Sequence, residues 1–215
     1  MVRAPMPIAR GAVTFARFRS ESGAPPRDAR RWLTRGLDRG AFEPIDVERG
    51  EDDRSAGFVS PEDRDSTDFE SGTLERGRAL FAFRIDTIRV KASAVRPELE
   101  RWSAAFASEH RRPPTRGEKA TAKDEIRHRL RKRQPPTTRV LDVSWSLDAG
   151  ELQIWAASRK AVEEVAVAIE AAFEVKLAPL SAGAQAVRAD VAESALAPTA
   201  ELLGLSREEV RRGEA

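Results

Sequence analysis

Apolar and polar residues follow regular patterns along most of the chain, and these patterns predict its strands and helices. In the first predicted strand, over 11–19, Val13 and Phe15 share one face and Thr14 lies on the other. The predicted elements, in order, are a strand (11–19), a helix (28–39), a short edge strand with Pro44 (42–47), a strand (78–88), two helices (within 91–137), a strand–turn–strand unit (139–155), a helix (158–173) and a strand (175–180).

The strand–turn–strand unit has the clearest alternation. It predicts an inward set of Leu141, Val143, Trp145 and Leu147, and an outward set of Asp142, Ser144 and Ser146. The turn at Asp148-Ala149-Gly150 then leads into a returning strand over 152–155. We therefore expect a hairpin with one buried face.

Two segments lack this periodicity. Residues 48–77 are acidic and rich in Gly, Ser and Asp, with one isolated apolar stretch at Gly57-Phe58-Val59. We therefore expect a long loop there. Residues 182–215 are rich in alanine, which favours a partly helical tail broken at Pro198.

The central helices have complementary apolar rows. The first row contains Val95, Leu99, Trp102 and Phe106, and the second contains Ala122, Ile126 and Leu130. Thr115 and Glu118 have the spacing of a capping box at the start of the second helix, and Pro135-Pro136 follow its end. Antiparallel packing of these helices as a finger buries both rows.

The order of elements predicts an α+β protein made of two small sheet-and-helix halves with an inserted antiparallel two-helix finger. The predicted parts are an N-terminal α+β half with the acidic loop (1–90), the basic finger (91–137), a hairpin–helix–strand half (138–181) and the tail (182–215).

The composition of the chain excludes some kinds of bond and binding site. The 215-residue chain is 40% hydrophobic and has no cysteine, which excludes disulfides and thiolate metal sites. No segment reaches the roughly 20 apolar residues that span a bilayer, and no apolar leader opens the chain, so we expect no membrane contact and a cytoplasmic protein.

Charge is unevenly distributed although the net charge is only +2. Residues 46–75 contain eleven acidic residues and three arginines, whereas residues 101–140 contain twelve basic and four acidic residues. The first segment repels phosphate and the second attracts it.

The second finger helix carries a basic row at spacings of three and four residues: Arg116, Lys119, Lys123, Arg127 and Arg131. Arg129, Lys132 and Arg133 add charge at its end, and Arg111 and Arg112 at the connection before it. Such a row can follow the phosphate backbone of DNA, although a solvated helix face has the same pattern. These ten residues are the candidate DNA-binding set.

Enzymatic motifs are missing. There is no phosphate-binding glycine loop or serine-hydrolase elbow, and the two histidines, His110 and His128, have no metal-ligand spacing. A two-metal nuclease site from Asp63, Asp65 and Asp68 is the weakest alternative, because their segment lacks apolar residues to fix it. We expect no enzyme and no cofactor.

Several short blocks of residues, in the order in which they follow one another, resemble the recombination-associated RdgC family. They are Gly57-Phe58-Val59-Ser60-Pro61, the run at 80–87 (LFAFRIDT), Lys123-Asp124-Glu125-Ile126, the run at 143–152 (VSWSLDAGEL) and the run at 175–180 (VKLAPL). The resemblance implies a homodimeric ring around double-stranded DNA, sequence-independent binding, nucleoid association and restraint of RecA filament assembly. It implies no catalytic residues.

Two departures from the family leave open whether the ring closes. Family members usually continue beyond the last strand, and the expected fingertip, residues 132–136, lacks a bulky apolar side chain. Leu141, Val143, Trp145, Ile154 and Trp155 offer more apolar surface than one helix covers, which favours a dimer. The alternative function is a protein-interaction or regulatory protein of the same fold.

Overall fold

The structure is a computed structural model that describes residues 14–21, 27–48, 52–70 and 73–192. Its elements are β1 (Ala16–Ser20), α1 (Ala29–Arg39), β2 (Arg54–Val59), β3 (Leu74–Glu75), β4 (Arg78–Thr87), α2 (Ala92–His110), α3 (Arg116–Arg133), β5 (Thr137–Ser146), β6 (Glu151–Trp155), α4 (Arg159–Phe173), β7 (Leu177–Pro179) and α5 (Ala182–Arg188). None of the described helices is long and apolar enough to cross a membrane.

All described strands join one antiparallel sheet in the order β2-β4-β5-β6-β1-β7, with β3 beside β4. The predicted α+β class is confirmed. The two predicted halves are joined by the pairing of β4 with β5, which runs from Arg78↔Ser146 to Thr87↔Thr137. The halves therefore share one sheet, and helices α2 and α3 lie between two neighbouring strands in the chain.

One face of the sheet is covered by α1 and α4. Leu33 and Leu37 of α1, and Val165 and Ile169 of α4, are buried in the core with the inward-facing strand residues. The inward set Leu141, Val143, Trp145 and Leu147 is confirmed, and Ile154 is buried with it. Helix α1 supplies cover that α4 alone does not, so these buried strand residues offer no free apolar surface for a dimer.

The opposite face is also partly covered, so the predicted outward positions of Asp142 and Ser144 are wrong. Both are buried, at 1% and 5% exposure. Residues 60–70 cross this face, and Arg64 places its Nη1 atom 2.6 Å from Oδ1 of Asp142. Nearby, Arg84 donates to both carboxylate oxygens of Asp86, at 3.0 and 2.8 Å, and lies over the ring of Phe42.

The predicted loop over 48–77 is also wrong, since it contains β2 and β3. Phe58 and Phe69 are buried in the main core, and long-range pairing of β2 with β4 fixes the segment. The short strand predicted over 42–47 does not form. A single parallel bridge joins Ala41 to Phe58, and Pro44, which has no N–H, cannot extend it.

The ends of the described chain match the predictions in part. In β1 the inward residues are Ala16 and Phe18, whereas Phe15 is 38% exposed and contacts Trp155 on the other face. Val13 lies outside the described residues. Helix α5 confirms a helical start to the tail, and Pro198 lies outside the described residues.

Candidate nucleic-acid interface

Helix α3 begins with the predicted capping box. The Thr115 hydroxyl accepts a hydrogen bond from the backbone N–H of Glu118 at 3.3 Å, and the Glu118 carboxylate accepts one from the backbone N–H of Thr115 at 2.7 Å. Two N–H groups that a helix start leaves unpaired are thereby satisfied. The sequence thus fixes where the basic helix begins.

Helices α2 and α3 pack against each other in opposite directions. Arg129, near the end of α3, pairs with Glu98, near the start of α2, whereas Arg112 in the connection pairs with Glu118. Val95, Ala122 and Ile126 are buried between the helices. The remaining predicted seam residues, Leu99, Trp102, Phe106 and Leu130, are partly buried.

Four basic side chains of α3 are exposed along one face of this helical hairpin. They are Arg116, Lys119, Lys123 and Arg127, which we call the basic row. None of them has a side-chain hydrogen bond or ion pair with another residue of the described ranges. Their charges are therefore available to an external anion.

Arg131 does not belong to the basic row, and its predicted outward position is wrong. Its side chain is buried and donates from Nε to Asp53 at 2.5 Å, from Nη2 to the Asp52 carbonyl at 2.6 Å and from Nη1 to the Val47 carbonyl at 3.3 Å. Helical periodicity puts it on the same face, but the acidic segment before β2 closes over that end. Arg131 anchors α3 to this segment.

Three other predicted residues are paired with carboxylates of the chain. Arg112 makes two bonds to Glu118, at 2.9 and 2.7 Å, Arg129 pairs with Glu98, and Lys132 donates to Glu48 at 2.6 Å. Arg111 and Arg133 are exposed. Any phosphate bound by the paired residues must first displace a carboxylate, so their contribution is smaller than that of the basic row.

The fingertip prediction is also corrected. Residues 132–136 lie at the base of the hairpin, because α3 returns there to β5 and Arg131 binds Asp53 beside β2. The connection over 111–115 is the end remote from the sheet. At this connection the guanidinium of Arg112 lies 5.1 Å from the ring centre of Phe106, which stacks on His110 at 4.0 Å.

The connection carries a strongly shifted acid. Hydrogen bonds from Arg112, together with one from the Thr115 backbone, lower the pKa of Glu118 from 4.5 to about 2. Because the charged form is favoured, the bidentate contact to Arg112 persists over the whole neutral range. The conformation of residues 112–118 is thus fixed electrostatically as well as by the capping box.

A cleft of about 720 Å³ lies where the basic row reaches the sheet. It is lined by Arg89, Asp124, Arg127 and His128, with Asp53 and Arg131 at its base. Sequence reasoning missed Arg89, which follows β4 and is exposed. Its place two residues after the end of β4 gave no periodic signal, because it belongs to neither a strand nor a helix.

The three acidic residues considered for a nuclease each accept a bond from another group of the fold. Asp65 pairs with Arg84 at 2.5 Å, and Asp63 and Asp68 accept hydrogen bonds from the backbone N–H groups two residues later. Across the ranges that the structure describes, no group of three or more His, Asp or Glu side chains is arranged to hold a metal ion.

The fold and the basic row define an α+β protein with a cationic helical hairpin inserted between two strands of its sheet. The chain belongs to the RdgC family: the family model described as "Putative exonuclease, RdgC" matches residues 18–192. This membership fits a DNA-related role. No curated protein matches the chain.

Proposed function

We propose that this protein binds double-stranded DNA through the phosphate backbone, without reading the base sequence, and that the basic row provides most of the affinity. The observation that carries the proposal is the exposure of Arg116, Lys119, Lys123 and Arg127 on one helix face, without carboxylate partners in the described ranges. Each phosphate contact by such a side chain releases condensed counterions.

The dimensions support this proposal. Residues 116–127 span about 16 Å of helix, and one strand of a duplex carries about five phosphates over that length. Four cations therefore match the charge density of a single DNA strand. Arg89 extends the positive surface into the cleft at the base of the hairpin, where Arg127 also lies.

Family membership extends the proposal to DNA recombination. By occupying the duplex without sequence preference, the protein would limit the assembly of RecA filaments. We also propose a homodimer, which rests on the family alone. Of the residues first invoked for it, Leu141, Val143, Trp145 and Ile154 are buried within the chain, and the half-buried Trp155 contacts Phe15 on the other face.

One observation favours a second candidate, a regulator that binds an acidic protein. Arg112, Arg129, Arg131 and Lys132 already pair with carboxylates of this chain, so the hairpin accommodates carboxylate ligands readily. Duplex DNA and an acidic partner would compete for the basic row, and the salt dependence of binding distinguishes the two ligands.

The deciding experiment measures duplex binding by fluorescence anisotropy over a series of salt concentrations. For the parent protein, the logarithm of affinity falls with the logarithm of salt by about 0.9 for each phosphate contacted. The variant Lys123→Ala/Arg127→Ala should bind every duplex more weakly and have a slope smaller by about two units.

The matched control is Arg19→Ala/Arg188→Ala, which also removes two positive charges. Arg19 and Arg188 pair with Glu151 and Glu21 at the opposite end of the sheet. Equal losses in the two variants, or a row variant that binds as tightly as the parent, would reject the basic row as the DNA site.

A further inference from the structure

Negatively charged side chains lie at the base of the helical hairpin, where the basic row ends. They belong to residues 46–48 and 52–53, which we call the acidic segment and which contain Asp46, Glu48, Asp52 and Asp53. Asp53 lines the same cleft as Arg127, the last member of the basic row, and Asp124 lines it too. Glu48 binds Lys132 in the last turn of α3. This end of the row therefore faces carboxylates of the chain itself.

The acidic segment is held in this position by Arg131. The guanidinium donates to the Val47 carbonyl on one side of residues 49–51, and to the Asp52 carbonyl and the Asp53 carboxylate on the other. Asp46 accepts the backbone N–H of Glu48 at 2.9 Å, which stabilises the turn at the start of the segment. A buried arginine is tolerated only when its donors are paired, so the burial of Arg131 depends on this segment staying in place.

The carboxylates of the acidic segment are nevertheless open to the outside. The Asp53 side chain is 60% exposed and that of Glu48 is 68% exposed, and Asp52 is exposed as well. The cleft of about 720 Å³ is roughly one Debye length across, which is about 10 Å at 0.1 M salt. A phosphate held by Arg127 would thus lie close enough to Asp53 to be repelled, because screening over that distance is incomplete.

We propose that the acidic segment is an autoinhibitory element, which lowers the affinity of the basic row for duplex DNA by repelling phosphates from the base of the hairpin. The inference rests on the proposed function and concerns its regulation. The duplex is released more readily than the basic row alone would allow. Any change that neutralises these carboxylates, while Arg131 keeps its bonds, strengthens binding.

The test uses Glu48→Gln/Asp52→Asn, which removes two negative charges and keeps all three acceptors of Arg131. Its matched control is Glu21→Gln/Glu151→Gln, which changes the net charge equally at the opposite end of the sheet, where both carboxylates are also paired with basic side chains. Duplex binding is measured by fluorescence anisotropy over a salt series, beside the parent and Lys123→Ala/Arg127→Ala. Glu48→Gln alone serves as a second, milder variant.

The acid variant should bind the duplex roughly two- to tenfold more tightly than the parent at low salt, and Glu48→Gln should show part of that gain. The gain should shrink between about 0.01 M salt, where the Debye length is about 30 Å, and about 0.15 M, where it is about 8 Å. It should persist in a Lys132→Ala background, because repulsion by the segment does not require Lys132.

Parent-like affinity in both acid variants, an equal gain in the control, or a gain that does not change with salt overturns the proposal. A gain that vanishes in the Lys132→Ala background also overturns it, since Glu48 would then act only by masking that lysine. If the acid variants match the parent while Lys123→Ala/Arg127→Ala binds weakly, the autoinhibition is rejected and the proposed function stands. If the row variant binds as tightly as the parent, the proposed function fails first, and autoinhibition of the basic row fails with it.

Discussion

Arg131 and Asp53 join the base of α3 to the start of β2 through a 2.5 Å bond, although 78 residues separate them in the chain. Arg131 is buried, whereas 60% of the Asp53 side chain is exposed. The arginine has donors toward three groups of the acidic segment. The acidic and basic segments, which have opposite net charges, are thus bound to each other at this point.

Replacing Arg131 with alanine should destabilise the protein by about 2 kcal/mol, because hydrogen bonds of a charged group are lost at a buried site. In a chain of this length that corresponds to a fall in melting temperature of roughly 4–8 °C. Calorimetry or thermal circular dichroism measures it. Arg133→Ala, an exposed neighbour, should change the melting temperature little, and a similar fall in both would contradict the anchoring role.

Replacing Asp142 with asparagine should lower the free energy of unfolding by about 3 kcal/mol, since Arg64 would be left with an uncompensated charge between residues 60–70 and the sheet. The double variant Arg64→Met/Asp142→Val removes both charges and should be more stable than Asp142→Asn. Urea unfolding measures the difference. If the double variant proved the less stable of the two, the burial of an ion pair would not be the explanation.

The titration of Glu118 should have its midpoint near pH 2. Its pKa is lowered from 4.5 by Arg112, so the stabilisation is complete above pH 4.5 and is lost as the pH falls through about 2. Carbon-detected NMR of the carboxyl group follows this directly. In Arg112→Ala the midpoint should rise toward 4.5, whereas Arg111→Ala should leave it near 2. An unshifted midpoint in Arg112→Ala would remove the assigned cause.

Labelled single- and double-stranded DNA should remain intact when incubated with the protein and Mg²⁺ or Mn²⁺. Asp63 and Asp68 each accept one backbone N–H bond and Asp65 pairs with Arg84, so one oxygen of each carboxylate is already engaged within the fold. Gel analysis over time is the measurement. Metal-dependent cleavage that disappears in Asp63→Asn or Asp65→Asn would establish a nuclease and overturn this prediction.

Local signals in the sequence predicted the local structure well. The capping box of Thr115 and Glu118, the length of α3 and the alternation around Trp145 depend on neighbours within a few residues, and the structure confirms them. Strand β2 was missed because its residues have little alternation and form a strand only by pairing with β4, which follows about 25 residues later.

The candidate site was less predictable because it also depends on contacts between residues that are distant in the sequence. Helical spacing placed Arg127 and Arg131 on one face, but it carries no information on which of them a distant segment covers. Asp142 was misassigned because alternation assumes one solvated face, whereas residues 60–70 cover that face in the structure.

The direct pairing of Thr87 with Thr137 places the entrance and the exit of the inserted helices side by side. Neighbouring strands lie about 5 Å apart, so an ordinary tight turn could join these two ends. The sheet register therefore does not fix how long the insertion is, whereas the bonds of Arg131 to Asp53 and of Lys132 to Glu48 tie the charges at its base to the rest of the fold. Evolution can lengthen or shorten the helices and change their charges beyond that base, and an engineer who transplants them to another scaffold must supply partners for these two side chains.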